Sequence, residues 1–564
     1  MSLILVIGGY GGFGARLCRR LAASGHDLLV GGRSAEKAAR FCADFDRARP
    51  LRVDRDGDLG PILATAGPDL VIDASGPFQG SDYRVPMACI RAGISYLDLA
   101  DARDFVAGIG ALDQAARAAG VTVIAGASTA PALTGAVLRR LAEGLDQVDK
   151  VDISLSAANR ASGAGATLAA ALSYAGRPLR LWRGGRWARV SGWQEMRREP
   201  FLFADGSGLR GRLVALADLP DCALLPDLVP GRPSVAFRAG TELGFQMCAL
   251  WLAAFAVKWG WLRSLRGALP WLMPIYRLTG RLGGKRSAMK IIVTGRRGRQ
   301  AVERRWTIVA EQGEGLEIPT LAAELLAADL RAGRLPPGAR HPAALLTLDR
   351  FERAFARLPV RTEIVEHILP PPLYARAMGE AFAALPPAVR RMHEVRSDAG
   401  AAGEGRVLRG RGLVARAIGS VMRFPREGLW PLHVAFAERG GVERWTRDFG
   451  GQVFSSELSA EGAGVAERFG PLRFVFDLPS DASGLEMRLT RWTAFGLPMP
   501  RFLAPHISAR EWEAGGRFRF AVAVALPLIG DVVRYDGWLE PAGANEKGGP
   551  LPDRPLVSMA EAAA

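Results

Sequence analysis

The chain begins with a short apolar run that leads into a glycine-rich turn and then into a helical pattern. Residues 3–7 are followed by Gly9, Gly11 and Gly14, in the spacing G-x-G-x-x-G. In a strand–turn–helix unit, such glycines make the tight turn, admit a pyrophosphate close to the backbone and let helix pack on strand. The helix N-terminus supplies unpaired N–H groups and a positive dipole end for phosphate. The sequence therefore predicts a dinucleotide site at Gly9, Gly11, Gly12, Phe13 and Gly14.

The end of the second predicted strand indicates which dinucleotide is bound. NAD-specific sites place an Asp or Glu there for the ribose hydroxyls. Here the apolar residues 28–30 run into Gly31 and Gly32, followed by Arg33 and Ser34. A guanidinium and a hydroxyl suit the 2′-phosphate of NADP(H). The alternative for Arg33 is a solvated side chain in a loop, but the missing carboxylate argues against NAD.

Strands continue to alternate with helices as far as residue 126. Apolar runs at 51–54, 69–73, 95–99 and 121–126 predict a parallel, doubly wound sheet, which is the Rossmann architecture. Ligands of such sheets bind at the carboxyl ends of the strands. We therefore expect Asp54 to lie near the adenine. We expect the loop after the fourth strand to contact the cofactor through Ser75, Gly76, Pro77 and Phe78.

The order of these segments resembles the NADP-binding domain of saccharopine dehydrogenase-like proteins. The resemblance rests on GGYGGFG, GGRS, ASGPFQGSDYRVPMACIRAGISYLDLAD and AGASTAP, and is most specific over residues 1–140. It implies an NADP(H)-dependent oxidoreductase whose middle domain binds a small-molecule substrate. The family usually has a Glu shortly after the Y-x-D-L segment, where this chain has Asp101.

The resemblance also points to catalytic candidates. It implies that the segment after residue 151 is a strand of the second sheet, followed by a helix lining the cleft. Ser162, Thr167 and Tyr174 are then candidates to face nicotinamide or substrate, and Tyr174 and Asp101 are candidate proton donors. The alternative is that Ser162 caps the helix and Tyr174 packs in the interior.

The length of 564 residues predicts about three domains. We expect an N-terminal Rossmann domain over 1–140, an α+β substrate domain over 141–365 and a C-terminal α+β domain over 370–542. Residues 543–564 are polar and are predicted to be a disordered tail. The five scattered cysteines lack metal-ligand spacing, and the first strand begins at once, so we expect a cytoplasmic protein without a leader or metal site. The Ala-, Arg- and Gly-rich composition is associated with bacterial sources.

Most of the net charge of +16 lies in one segment. Between Lys258 and Arg305 there are thirteen Lys or Arg residues and one acid, Glu303. The segment follows an apolar run at 244–257, which is shorter than the roughly 20 residues needed to cross a bilayer. Residues 244–305 are therefore predicted to lie on an anionic membrane surface, at the inner face of the membrane. The alternative is a core or homodimer helix with a solvated basic face, and nucleic acid is disfavoured by the interleaved apolar runs.

The pattern changes after the Pro370-Pro371-Pro372 linker. Residues 373–395 predict a helix with a break at Pro386, and the following blocks alternate at period two. This pattern predicts a strongly curved antiparallel sheet, barrel-like or half-barrel. The blocks resemble an uncharacterised bacterial domain found behind saccharopine dehydrogenase-like domains, and that resemblance implies no activity. A curved sheet with an apolar face could hold a hydrophobic ligand or could be ordinary core.

Two functions follow from the sequence. The first is an NADP(H)-dependent oxidoreductase acting on a carbonyl, imine or alkene, with a lipid-like or isoprenoid substrate expected if the basic segment contacts lipid. The second is a non-catalytic dinucleotide-binding sensor or membrane-associated ligand-binding protein. The absence of an unmistakable acid–base residue in the sequence keeps both open.

Overall fold

The computed structural model describes residues 2–160, 164–280, 282–298, 300–394, 396 and 398–542. The predicted tail, 543–564, lies outside these residues. The chain divides into two compact units. The first comprises residues 1–182 and 188–369, and the second comprises residues 183–187 and 370–564.

The first unit begins with a parallel sheet, as predicted. Its first six strands are β1 (Leu3–Ile7), β2 (Asp27–Gly32), β3 (Ala48–Arg52), β4 (Leu70–Asp73), β5 (Ser95–Asp98) and β6 (Thr122–Ile124). Their spatial order is β3-β2-β1-β4-β5-β6, and the later segment Gly338–Arg340 adds a seventh parallel strand beside β6. The strand order is that of a Rossmann domain.

Helices cover both faces of this sheet. They are α1 (Gly12–Ala23), α2 (Ala35–Cys42), α3 (Gly60–Ala66), α4 (Arg84–Arg91), α5 (Arg103–Gly108), α6 (Asp113–Ala118) and α7 (Thr134–Ala142). Ile4 and Leu5 are fully buried but belong to different apolar clusters, on opposite faces of β1. Burial on both faces explains why β1 is a continuous apolar run instead of an alternating one.

A second sheet completes the first unit. Its strands are β7 (Gln147–Ala157), β10 (Arg197–Leu202), β11 (Gly208–Leu216), β12 (Ser234–Thr241), β13 (Ser287–Arg297), β14 (Gln300–Ala310) and β16 (Val360–Ile368). Strands β8 (Pro178–Arg183) and β9 (Arg186–Ser191) form a separate two-stranded sheet. The label β15 is given to Gly338–Arg340, the seventh strand of the first sheet. The order is β10-β11-β12-β7-β13-β14-β16, and β12 and β7 are parallel in an otherwise antiparallel sheet. This mixed sheet confirms the predicted α+β character of the middle segment.

The polar side of β7 is buried by ion pairs. Asp152 accepts hydrogen bonds from Arg197 at 2.9 and 3.0 Å and from Arg238 at 2.8 Å. These two guanidinium groups hold the pKa of the Asp152 carboxyl well below its usual range, against the effect of burial. A strand that alternates in sequence thus has an apolar face and an ionic face, both shielded from water.

The remaining helices of this unit are α8 (Ala164–Ser173), α9 (Asp221–Leu224), α10 (Gly244–Lys258), α11 (Leu269–Thr279), α12 (Ile318–Arg331) and α13 (Leu348–Phe355). Among the described residues, no helix is both long enough and apolar enough to span a membrane. The apolar run of the sequence analysis is α10, which buries Met247 and Ala254 but leaves Leu252 exposed.

The second unit is built on one antiparallel sheet. Its strands are β17 (Gly400–Arg409), β18 (Gly428–Arg439), β19 (Val442–Phe449), β20 (Gln452–Glu461), β21 (Gly464–Phe469), β22 (Leu472–Asp477), β23 (Ser480–Asp481), β24 (Gly484–Ala494), β25 (Leu497–Pro498), β26 (His506–Ala514), β27 (Arg517–Leu526) and β28 (Gly530–Pro541). The path β22-β21-β20-β19-β18-β17-β28-β27-β26-β24 closes on itself because β22 also pairs with β24. The curved sheet predicted from the sequence is therefore a closed barrel of ten strands, with β23 and β25 as short additions.

Three short helices accompany the barrel. They are α14 (Leu373–Met378), α15 (Pro387–His393) and α16 (Leu413–Val421). The helix predicted over 373–395 is divided into α14, a 3₁₀ segment at Gly379–Ala384 and α15, with the break at Pro386 as predicted. Helices α14 and α15 pack against strands β20, β21, β26 and β27, whereas α16 lies beside β28.

We predict that Gly14→Ala destabilises the protein. A Cβ atom at residue 14 would lie 2.1 Å from the backbone oxygen of Gly8, so α1 would have to move away from the first strand. Overpacking of this kind costs about 1–3 kcal/mol. Urea unfolding measures the effect. Gly110→Ala is the matched control, since no atom lies within 4 Å of its Cβ position. Equal stability of the two variants would contradict the close contact.

Candidate functional site

The turn between β1 and α1 is held by backbone hydrogen bonds. The N–H groups of Gly8 and Gly9 both donate to the oxygen of Gly31, at 2.9 and 3.1 Å, and the N–H of Gly11 donates to the oxygen of Gly8 at 2.9 Å. Helix α1 then begins at Gly12. The first-turn N–H groups of Gly12, Phe13 and Gly14 have no partner within the helix and are available to an anion.

Tyr10 connects this turn to the end of β2. Its ring fills the space beside Gly32, where a Cβ atom would lie 2.4 Å from the ring. Its hydroxyl oxygen accepts a hydrogen bond of 3.0 Å from the backbone N–H of Ser34. Gly32 is therefore required by the Tyr10 ring, and the loop that carries Arg33 is tied to the glycine turn. Sequence reasoning missed Tyr10, since its role depends on a contact between two loops.

Arg33 and Ser34 lie at the carboxyl end of β2, as the spacing predicts. The Arg33 side chain is exposed, and Ser34 is the N-cap of α2, where its oxygen accepts a 3.2 Å hydrogen bond from the N–H of Lys37. The Ser34 hydroxyl can still donate its own proton. A guanidinium, a hydroxyl donor and a helix N-terminus therefore lie together, which is a donor set that suits a phosphate group.

Of Asp54 and Arg55, which follow the third strand, Arg55 contacts the loop after β4, whereas Asp54 bonds within its own turn. The Asp54 carboxylate accepts a 3.1 Å hydrogen bond from the N–H of Asp56 and so shapes its own turn. The Arg55 guanidinium reaches the backbone oxygen of Ser75 at 3.3 Å and lies 4.8 Å from the centre of the Phe78 ring. Sequence reasoning missed Arg55, although it directly follows a candidate. The contact of Asp54 with adenine stays a prediction.

The loop after β4 meets the glycine turn. The Cβ position of Gly8 lies 2.9 Å from the Cα atom of Ser75, so these two backbones are in close contact. Gly76 and Pro77 follow in the same half-buried loop. Phe78 is 3 % exposed and packs on Phe105 with ring centres 5.5 Å apart, so its ring is part of the core beneath the loop.

Two buried carboxylates end neighbouring strands of the sheet. Asp73 accepts a 2.9 Å hydrogen bond from the N–H of Ser75, and Asp98 accepts 2.7 and 2.9 Å hydrogen bonds from the N–H groups of Gly126 and Ala100. Burial raises the pKa of Asp73, although Arg55 opposes the shift, and burial raises the pKa of Asp98 to about 7. These side chains hold the loops at the carboxyl edge of the sheet in place.

The structure brings the two candidate proton donors into one region. Asp101 accepts a 3.0 Å hydrogen bond from the Gln79 side chain, and burial raises the pKa of its carboxyl. Tyr174 follows α8 and stacks on Trp193 with ring centres 5.8 Å apart. Burial raises the pKa of Tyr174 well above its usual value, and the nearby carboxylates of Asp101 and Asp218 raise it further. Both groups therefore hold their protons more tightly than in water.

The Rossmann sheet and the middle sheet are linked close to this region. Arg103 donates hydrogen bonds to the backbone oxygen of Arg180 at 2.6 Å and to the Asp218 carboxylate at 3.2 Å. Of the two remaining candidates, Ser162 lies outside the described residues, and the side chain of Thr167 is not described either. In the part of the chain that the structure describes, no cluster of His, Cys, Asp or Glu could hold a metal ion.

Comparison with known proteins identifies two parts of the chain. Residues 4–124 match the family model of the saccharopine dehydrogenase NADP binding domain, and residues 385–539 match a domain of unknown function, DUF4166. No curated protein matches the chain.

Solved structures similar to the chain include two dehydrogenases. Saccharopine dehydrogenase (L-Glu forming) from Saccharomyces cerevisiae shares 13% identity, with a TM-score of 0.48, over 65% of this chain and 100% of that one. An amine dehydrogenase from Mycobacterium smegmatis shares 13% identity, with a TM-score of 0.35, over 62% of this chain and 95% of that one.

The glycine turn, the Arg33 loop and the parallel strand order thus coincide with the matched N-terminal segment. The predicted family resemblance and the predicted cofactor are confirmed for this part of the chain. Residues 4–124 are thus similar to the saccharopine dehydrogenase NADP binding domain, and residues 385–539 of the same chain are similar to the DUF4166 domain.

Proposed function

We propose that the protein is an NADP(H)-dependent oxidoreductase that acts on a carbonyl, imine or alkene. The observation that carries the proposal is that two proton-holding groups, Asp101 and Tyr174, come together in the unit that contains the NADP-binding domain. Bound NADPH would supply a hydride. Reduction of a carbonyl or imine also requires a proton donor within reach of the oxygen or nitrogen bonded to the carbon that accepts the hydride.

In the proposed reaction, different residues bind the cofactor, orient the acid and donate the proton. The first-turn N–H groups of α1 hold the pyrophosphate, and Arg33 with Ser34 holds the 2′-phosphate. Gln79 orients Asp101 through their hydrogen bond. Trp193 positions the Tyr174 ring by stacking, and the Tyr174 hydroxyl is the proposed proton donor to the substrate. The non-catalytic sensor remains the alternative, and turnover decides between the two.

The first prediction concerns cofactor preference. Arg33→Ala should remove most of the preference for NADPH over NADH, because a charge-assisted hydrogen bond contributes about 1.5–3 kcal/mol, or roughly 10- to 150-fold in affinity. Titration calorimetry with both cofactors measures this. Arg40→Ala is the matched control, since Arg40 lies on α2 and pairs with Glu36 in solvent. Equal affinity of the wild type for both cofactors would refute the assignment.

The second prediction concerns the proton donor. Tyr174→Phe or Asp101→Asn should lower turnover by about 10²- to 10⁴-fold and leave NADPH affinity unchanged. The assay follows NADPH oxidation with a panel of aldehydes, ketones and imines, over a range of pH. Tyr83→Phe is the control, because the Tyr83 hydroxyl donates to the oxygen of Phe105 within the Rossmann domain.

Full turnover in both variants would exclude both residues as donors. Tight NADPH binding by the wild type, without turnover of any compound in the panel, would favour the sensor.

We further propose that the enzyme works in the cytoplasm at the inner face of the membrane, on a lipid-like or isoprenoid substrate. The support is a patch formed by α10, α11, the segment between them and Leu282, which follows α11. Eight large apolar side chains in this patch are exposed: Phe245, Leu252, Trp259, Trp261, Leu262, Trp271, Leu278 and Leu282. Exposed basic residues such as Lys258 and Arg263 accompany them.

Polar contacts fix the patch to the middle sheet. Asn159 donates to the backbone oxygens of Thr279 and Leu282 at 2.6 and 2.9 Å, and Gln246 donates to the Asn159 side chain at 3.2 Å. The helices that carry the exposed apolar side chains are therefore held by hydrogen bonds to Asn159, which follows β7. Apolar and basic groups on one surface favour an anionic lipid interface.

The third prediction is that the protein sediments with vesicles of mixed phosphatidylglycerol and phosphatidylcholine more than with phosphatidylcholine alone. Salt should weaken this binding without abolishing it, because salt screens the basic residues and not the apolar contacts. Replacing Trp261 and Trp271 together by Ala should reduce binding, since their side chains are 74% and 81% exposed. Ile368→Ala is the control, an exposed apolar residue on β16. Wild-type protein that stays in the supernatant with both vesicles would end this proposal.

A further inference from the structure

The barrel of the second unit encloses an apolar cavity. Its volume is about 190 Å³, and inward-facing side chains of alternating strand residues line it, including Phe474, Phe476, Phe520, Val522 and Val524. An engineered apolar cavity of about 150 Å³ stays dry and binds benzene. This space is therefore large enough for an organic ligand of roughly eight non-hydrogen atoms.

The charged groups in the wall of the cavity are compensated by partners. The Tyr374 and His393 rings lie with centres 3.7 Å apart, and His393 bonds to the Glu511 carboxylate. Arg447 pairs with Glu467 at 3.3 Å and donates to the Ser456 hydroxyl at 2.9 Å. The three charged residues that line the cavity therefore all have partners: Arg447 and Glu467 pair with each other, and Glu511 bonds to His393.

Two tyrosines line the same space without such partners. Tyr374 is 1% exposed and Tyr535 is 8% exposed, and both contribute to the cavity wall. Within the described residues, no hydrogen bond to either hydroxyl is found, and neither hydroxyl is among the fully buried atoms that lack a partner. A hydroxyl in a cavity wall can donate a hydrogen bond to a polar group of a ligand or accept one from it. Burial also raises the pKa of Tyr535 to about 12, so its hydroxyl remains a donor at neutral pH.

The opposite end of the barrel carries an apolar rim. Strand ends and loops at this end expose Leu413, Val421, Phe495, Phe502 and Leu528, each of them at least 76% exposed. Ile418 and Met422, in and next to α16, contribute to the cavity wall beneath this rim. Exposed apolar side chains thus lie at the end of the barrel where α16 contributes to the cavity wall.

We propose that the barrel is a binding site for a small uncharged amphiphile, with its apolar body in the cavity and a hydroxyl or carbonyl group hydrogen-bonded to the free tyrosine hydroxyls. A charged head group is disfavoured because the cavity offers no uncompensated charge to receive it, and an unpaired buried charge is costly. The site lies wholly within the second unit and does not depend on the proposed redox function.

Calorimetry of the full chain with 1-octanol, octanoate and octylammonium tests the proposal. We expect 1-octanol to bind to one site, and to bind more tightly than either ion. Val522→Phe and Ala509→Leu add bulk to the cavity wall and should abolish this binding, whereas Ala523→Phe, on the outward face of β27, should retain it. Tyr535→Phe should weaken octanol binding roughly three- to tenfold, through the loss of one hydrogen bond.

Three results would overturn the proposal. They are the absence of octanol binding by the wild type, binding that is unchanged in both filled variants, and equal binding of the charged probes. Circular dichroism establishes that each variant is folded. NADPH affinity of the same preparations reports on the N-terminal domain, so loss of the barrel site can be distinguished from failure of the proposed redox function.

Discussion

The contact between the first helix and the first strand determines the geometry of the whole N-terminal site. Gly14 lets α1 approach the backbone of Gly8 to a distance that no side chain would allow. The first-turn N–H groups are then aimed over the carboxyl edge of the sheet. Tyr10 in the same turn reaches Ser34, and Gly8 touches the backbone of Ser75. Three loops from distant parts of the sequence are thus positioned by one close approach of helix and strand.

The Rossmann domain could be predicted because its signals are local. The glycine spacing, the buried apolar strands and the missing acid after β2 all lie within short stretches of sequence. Tyr10 and Arg55 could not be found in this way, since each acts through a loop that lies 20 or more residues away. The proximity of Asp101 and Tyr174 was anticipated only through the family resemblance, because it depends on how the middle sheet is placed against the first.

The middle sheet and the barrel have features that the sequence pattern does not predict. Alternation identified β7, but it could not reveal that Arg197 and Arg238 would bury the polar side around Asp152. Alternation also identified the C-terminal strands, and their curvature was expected from the glycines and prolines between them. Closure was left open between a barrel and a half-barrel, since pairing of β22 with β24 depends on the total twist and stagger of ten strands.

The strand order of the barrel has a consequence for the synthesis of the chain. The last strand of the described residues, β28, lies between β17 and β27 and not at the β22–β24 pairing that closes the barrel. It pairs with β17 from Ala401–Pro541 to Arg409–Val533. The barrel therefore cannot close until residues 530–541 have left the ribosome. Until then, an apolar interior and the edges of β17 and β27 are exposed to solvent, which is the condition under which nascent β-proteins aggregate.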